Sequence, residues 1–140
     1  MFSALDISTS ALVAQRTRLN AISSNLANMS TTRNEAGELA PYQPRFAVFQ
    51  TDDAIQSPEG AVGVQVSSIE FATSEPLWKY QPGHPDAQQE GPKKGWVAYP
   101  DVNMVQESVD ALEATRAYEA NIGVIEVTKN LNQTTLRILA

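Results

Sequence analysis

Proline and glycine are distributed unevenly along this chain of 140 residues. All 8 prolines and six of the 7 glycines lie between Arg33 and Pro100, and the two ends are almost free of both. Proline removes a backbone donor and glycine costs conformational entropy in a helix, so long helices are confined to the ends. The predicted division is residues 1–32 as an N-terminal helical segment, 33–100 as a central β and loop region, and 101–140 as a C-terminal helical segment.

At the N-terminal end Leu5, Leu12, Leu19 and Leu26 recur every seven residues, with Phe2, Ile22 and Met29 at three-residue offsets and Ala4, Ala11, Ala14 and Ala21 beside them. That is the narrow apolar seam of a helix. Ser3 followed by Asp6 has capping-box spacing, and the crowding of Ser30, Thr31, Thr32, Asn34 and Gly37 ends the helix near Asn28. The helix predicted is about 26 residues long, roughly 40 Å. At the other end Asn103 and Gln106 repeat the capping spacing, and Val105, Val109 and Leu112 open a stripe that continues through Ala117, Val124, Leu131 and Ile138, flanked by Ile122, Ile125 and Val127. It predicts a second helix of about 37 residues, near 55 Å. Between them Arg45 to Thr51 and Val62 to Ser68 alternate like strands, with Pro76 to Tyr80 and Trp96 to Tyr99 as weaker candidates for a small antiparallel patch. The expected fold class is α+β: two long terminal helices paired as an antiparallel coiled-coil hairpin around a small, irregular, β-containing centre.

The stretch RLNAISSNLANMSTT, Arg18 to Thr32, interrupts this seam with serines and asparagines, which compete for backbone hydrogen bonds and weaken helices. Asn20, Asn25, Asn28 and Asn121 lie either on solvated faces or in side-chain hydrogen bonds that fix the register of packed helices. A two-helix hairpin leaves most of each helix wet, and the small residues along it permit close approach. The physical reading is an incomplete bundle completed by other copies or other proteins.

Several function classes are excluded. The formal net charge is -6, and the largest basic cluster is the pair Lys93 and Lys94, more in keeping with a charged loop tip than with nucleic-acid binding. No apolar run approaches the roughly 20 residues that span a bilayer, and the opening MFSALDISTS carries an acid and no basic region, so no membrane span and no Sec-type signal are expected. There are no cysteines. His84, the single histidine, lies between Gly83 and Pro85 without ligand spacing and suits a loop turn better than a metal. Asp52, Asp53, Glu70, Glu75, Asp86 and Glu90 are scattered acids expected on a solvated surface, not a catalytic carboxylate pair. The sequons at Asn28 and Asn132 are too short to carry weight. Trp78 and Trp96 are expected to anchor the central patch by buried area. Arg116 and Tyr118, two apart, point to different faces of the C-terminal helix. No catalytic, metal or cofactor site is expected.

Four stretches carry a resemblance. Asn25, Leu26, Ala27, Asn28 and Thr31 match the N-terminal signature of the bacterial flagellar axial proteins, the rod and hook group. Tyr42, Arg45, Ala47, Val48 and Phe49 resemble the segment that follows it in the small proximal rod members. Tyr80, Pro82, Gly83, His84, Pro85, Asp86 and Ala87, then Gly95, Val97, Pro100, Val102 and Asn103, resemble the central segment that marks those members, with Gln89 to Lys94 as a short insertion. Glu107, Ala114, Arg116, Tyr118, Glu119, Ala120 and Asn121 are similar to the group's C-terminal helix signature.

The resemblance implies a structural subunit of the flagellar basal-body proximal rod, without enzymatic activity or cofactor. It would be exported into the periplasm through the flagellar type III export apparatus without a cleaved signal peptide. Its partners would be other copies of itself, other proximal and distal rod subunits, and the adaptor that joins rod to membrane ring. Such subunits pack helically, transmit torque and form part of the export channel; their terminal helices line the inner tube and are disordered before assembly. The subunit interface is expected at Leu5, Leu12, Leu19, Ile22, Asn25, Leu26, Asn28, Arg116, Tyr118, Asn121, Val124, Leu131 and Ile138. The family-specific central loop is expected at Tyr80, Pro82, Gly83, His84, Pro85 and Ala87. The alternative reading is a helical-hairpin export chaperone or adaptor of a secretion system.

Overall fold

A computed structural model describes residues 2–139. The chain runs α1 (Phe2–Ala27), β1 (Arg45–Gln56), β2 (Val62–Phe71), β3 (Leu77–Tyr80), β4 (Trp96–Tyr99) and α2 (Met104–Leu139). The two helices, of 26 and 36 residues, are the long terminal elements that the proline-free ends predict. They pack on each other, and α1 also packs against both strands of the β1–β2 hairpin.

Local chemistry sets the helix ends. Asn103 caps α2: its Oδ1 accepts from the N–H of Val105 at 3.0 Å and of Gln106 at 3.3 Å, covering two otherwise unpaired donors of the first turn. Asn28 closes α1, donating from Nδ2 to the Ser24 carbonyl at 2.9 Å and accepting from the Thr31 hydroxyl at 3.1 Å. A side chain that competes with helical hydrogen bonds is here the device that stops the helix. The Ser3 cap is corrected, because α1 has already begun at Phe2; the side chains of Phe2 and Ser3 lie outside the described residues.

The centre is two separate antiparallel ribbons, not one patch. In the first, Arg45 pairs with Phe71 and Thr51 with Val64, with a register shift between Val48 and Phe49 and another between Asp52 and Gln56. β1 extends past Thr51 to Gln56 although Asp52 and Asp53 break the apolar alternation there, because backbone pairing to β2 continues on an edge that water can reach. Val62, Val64 and Val66 are half-buried, with Phe71 beyond them exposed. In the second ribbon Leu77 pairs with Tyr99 and Tyr80 with Trp96.

The core is small and made of small residues. Ala14, Ala21, Ile22 and Ala114 are buried where the helices and the hairpin meet, and Val97 of β4 and Ala87 are buried at the second ribbon. The leucine seam is therefore displaced from expectation: Leu5, Leu12, Leu19 and Leu26 are half-buried and flank the alanines, which alone let the backbones approach this closely. Trp78 is half-buried and Trp96 is 38% exposed, so neither is the predicted buried anchor; Val97, 1% exposed, takes that place.

Gly63 shows how closely hairpin and helix meet. A Cβ there would lie 2.9 Å from Ile55 Cβ and 3.1 Å from Ser10 Oγ, and the next residue, Val64, donates its N–H to Ser10 Oγ at 3.1 Å. Ser10 in turn donates to the Ile7 carbonyl at 2.7 Å. Gly63→Ala should lower stability by about 1–3 kcal/mol through overpacking at this seam. The check is the denaturant midpoint of the purified chain at fixed concentration, and an unchanged midpoint contradicts it.

Candidate assembly surface

The functional geometry begins where three segments meet at Asn25. Its side chain, 3% exposed, makes four hydrogen bonds. Nδ2 donates to the Arg45 carbonyl at 2.9 Å and to Glu107 Oε1 at 3.0 Å; Oδ1 accepts from the Arg45 N–H at 2.9 Å and the Tyr42 hydroxyl at 3.1 Å. Two donors and two acceptor lone pairs are all that a carboxamide has. Asn25 thus ties α1 to the first residue of β1 and to the first turns of α2, and it keeps no capacity for a neighbouring subunit. Tyr42 extends the node, 3.0 Å from Ser24 Oγ and accepting from Arg45 Nε at 3.0 Å.

Glu107 is half-buried at this junction. Burial pushes its carboxyl up, the Asn25 hydrogen bond pulls it partly back, and the charge of Asp110 adds to the rise. The folded chain therefore binds this proton more tightly than the unfolded one. The site favours folding in acid, and its contribution is lost as pH rises from the ordinary carboxylate range through the raised value. One turn further along α2, Arg18 bridges Asp110 at 3.3 Å and Glu113 at 3.5 Å.

Of the predicted loop residues, Tyr80 instead ends β3, paired with Trp96, while Pro82, Gly83, His84, Pro85 and Ala87 lie in two successive turns. The His84 N–H donates to the Gln81 carbonyl and the Ala87 N–H to the His84 carbonyl, each at 3.0 Å, with Pro82 and Pro85 at the second position of each turn. Their product is the placement of Asp86, which sequence reasoning counted among solvated acids. The structure corrects this: Asp86 is 9% exposed, accepting from the Thr32 hydroxyl at 2.6 Å and from Arg33 Nε at 2.7 Å. The Thr32 and Arg33 hydrogen bonds, with the charges of Arg33 and His84, hold its carboxyl below the ordinary range against the opposing effect of burial. The loop fastens the second ribbon to the segment leaving α1. A lone acid in a loop gave no signal for this, since its partners are 54 and 53 positions away. His84 accepts from the Asp86 N–H through Nδ1 at 3.1 Å. The Gln89–Lys94 insertion projects beyond the Gln88–Gly95 backbone pair and leaves the ribbon intact.

On α2 the face toward α1 is made mostly of small and polar groups, and a stripe of apolar groups points outward. Asp110, Ala114, Ala117, Tyr118, Asn121 and Ile125 are buried or half-buried, and α1 is the element packed on this helix. Val105, Val109, Leu112, Val124, Val127, Leu131 and Ile138 are all exposed, from 48% at Val124 to 79% at Ile138. At the helical repeat these seven lie within about 120° of one another, on the side away from α1. Arg116, also exposed, falls in the same stripe. The stripe faces out because Asn25–Glu107 and Arg18–Asp110 fix the opposite face inward. Of the expected interface residues, Ile22, Asn25, Asn28, Tyr118 and Asn121 lie against their own chain: Asn121 donates to the Ala117 carbonyl at 2.8 Å. Leu5, Leu12, Leu19 and Leu26 stay half-covered. Among the described residues no group of three or more His, Asp or Glu is placed to hold a metal, and no helix is long and apolar enough to cross a membrane.

A helical hairpin with an uncovered apolar flank and a small β centre describes a protein built to be packed among others. Residues 5–33 match the family described as flagella basal body rod protein, and residues 93–138 match the flagellar basal body rod FlgEFG protein C-terminal family. Over 99% of this chain and 97% of the relative, it is 39% identical to the flagellar basal-body rod protein FlgC of Borreliella burgdorferi. The Bacillus subtilis FlgC is 37% identical over 98% of this chain and 97% of its own length, and that of Salmonella typhimurium 38% over 95% and 93%. The chain belongs to the FlgC family of flagellar basal-body rod proteins, structural components of the rod. The chaperone or adaptor alternative finds no support in these relatives.

Two outcomes follow from the junction. Asn25→Ala removes the side-chain partner of the Arg45 N–H and carbonyl, leaves the Tyr42 hydroxyl only Ser24 and Arg45 Nε, and should cost on the order of 3 kcal/mol, read by denaturant titration. Glu107→Gln keeps the acceptor for Asn25 but removes the desolvated charge. It should raise the melting temperature at pH 7, with the gain vanishing below about pH 4; a variant less stable than the parent at neutral pH would refute this account of the carboxyl.

Proposed function

We propose that this protein packs helically with other copies of itself and with the other proximal and distal rod subunits. The terminal helices line the inner tube, with residues 33–100 outside. In that arrangement it transmits torque along the rod and forms part of the wall of the export channel. The observation that supports this most directly is the outward stripe of α2: proteins that act alone rarely leave so many valines, leucines and isoleucines of one helix face in water. The interface comprises that stripe, including Arg116, Val124, Leu131 and Ile138, together with the half-covered leucines of α1, Leu5, Leu12, Leu19 and Leu26. Ile22, Asn25, Asn28, Tyr118 and Asn121 serve the interface indirectly, by holding the helices that carry it.

The role is mechanical, with no enzymatic activity. Torque passes between subunits through packed side chains and fixed helix register, which reactive groups would not improve. The rod lies in the periplasm, and the chain reaches it through the flagellar type III apparatus without a cleaved signal. The adaptor at the membrane ring is a further partner. The central loop, Tyr80, Pro82, Gly83, His84, Pro85 and Ala87, acts as the clasp that keeps the outer region on the helical stem through Asp86.

Val124→Asp and Leu131→Asp test the stripe. Each should reduce motility to the level of cells lacking the protein while the purified chain keeps its helix content by circular dichroism. Leu19→Ala should weaken motility less severely. Wild-type swimming in both aspartate variants would remove the stripe from the interface.

A further inference from the structure

α2 outruns its partner helix. Antiparallel contacts at Asn25–Glu107 and Arg18–Asp110 set the register, so the start of α1 lies level with about residue 128 and α2 continues for about ten residues, ~15 Å. From 133 to 138 every residue is exposed, including Leu136 and Ile138, and Leu131 before them is exposed too. In a chain of formal net charge -6 this overhang carries Lys129 and Arg137 and no acid after Glu126.

A complementary surface lies elsewhere on the molecule. Between α1 and the β1–β2 hairpin runs a groove of about 650 Å³ whose apolar lining includes Val13, Ile55, Val64 and Val66 and whose polar lining includes Asp6 and Asp52, with no basic residue. Val13 is 52% exposed. Among the described residues neither carboxylate has a cationic partner.

We propose that the C-terminal overhang of α2 from one copy of this chain docks in the α1–hairpin groove of a second copy, with Leu131 and Ile138 against Val13 and Ile55 and Arg137, on the flank of that face, toward Asp6 and Asp52. The proposal deepens the assembly reading above and rests on it. A copy cannot fill its own groove, because α2 is one uninterrupted helix that carries its end away from α1. The contact joins two different surfaces, so it does not close on itself as a two-fold dimer does. It repeats from copy to copy, as a helical tube requires. Opposite charges across it select the register of approach.

The chain contains no cysteine, so introduced ones report unambiguously. Val13→Cys and Ile138→Cys are placed in two differently tagged copies, co-expressed in cells that depend on this chain for motility. Mild oxidation should give a disulfide-linked dimer containing both tags, and both cysteines in one copy should give a ladder of higher species. Asp52→Lys in the first copy should reduce the mixed dimer about tenfold, and Arg137→Asp in the second should restore it. Motile cells without the mixed dimer, or with Ile138→Cys linked to a different protein, overturn the docking and leave the rod assignment standing. Charge reversal without rescue also overturns it. Motility that persists when the chain is deleted overturns the rod assignment, and the docking with it.

Discussion

One carboxamide holds the architecture together. Asn25 is the point at which α1, the start of the β1–β2 hairpin and the start of α2 are joined, and each of its hydrogen-bonding positions is filled by a group from those segments. In a site this dry, a filled network is rigid and a partly filled one is costly, so the three segments have one mutual arrangement. The angle at which the hairpin leaves the helix, and the face that α2 turns toward α1, both follow from it.

That arrangement inverts the usual placement of residue types. The most buried residues between the helices are largely alanine, serine and hydrogen-bonded polar groups beside Ile22, with the leucines of α1 only half-covered, while the longest run of valine, leucine and isoleucine on α2 points to water. Alanine packing allows the helix axes to come close but returns little apolar burial per residue, and the bridges from Arg18 are partly exposed and contribute about 1 kcal/mol or less. A stem of this kind is modestly stable by itself. Its order becomes linked to contact with neighbours, since anything that binds only the folded helices stabilises them by mass action. For a subunit of the rod, folding and incorporation are then drawn from the same apolar surface.

The second ribbon depends on a different device. Two proline turns bring Asp86 back across the chain to Thr32 and Arg33, where a hydroxyl and a guanidinium both stabilise its charge and hold the carboxyl below its ordinary range. The family-specific loop is thus a clasp between the segment leaving α1 and the outer region. The insertion after Gln88 sits beyond the Gln88–Gly95 backbone pair and touches the ribbon through Lys93, whose carbonyl accepts from the Trp96 N–H at 3.0 Å and whose ammonium lies 3.8 Å from the Trp78 ring.

The residues alone determined the terminal helices, since without proline and with periodic apolar side chains no other element suits those segments. They also determined the cap at Asn103, the hairpin strands and the family signature. Asn25 and Asn28 were legible as residues that must do something other than favour a helix, but which groups they meet was not. The partners of Asn25 lie at positions 42, 45 and 107, and those of Asp86 at 32 and 33. Such pairings have no periodicity and no local spacing, and only the folded chain brings them together. The same reason governs the stripe on α2. Helical spacing shows that its valines and leucines share a face, but which way that face turns is decided by hydrogen bonds from another helix.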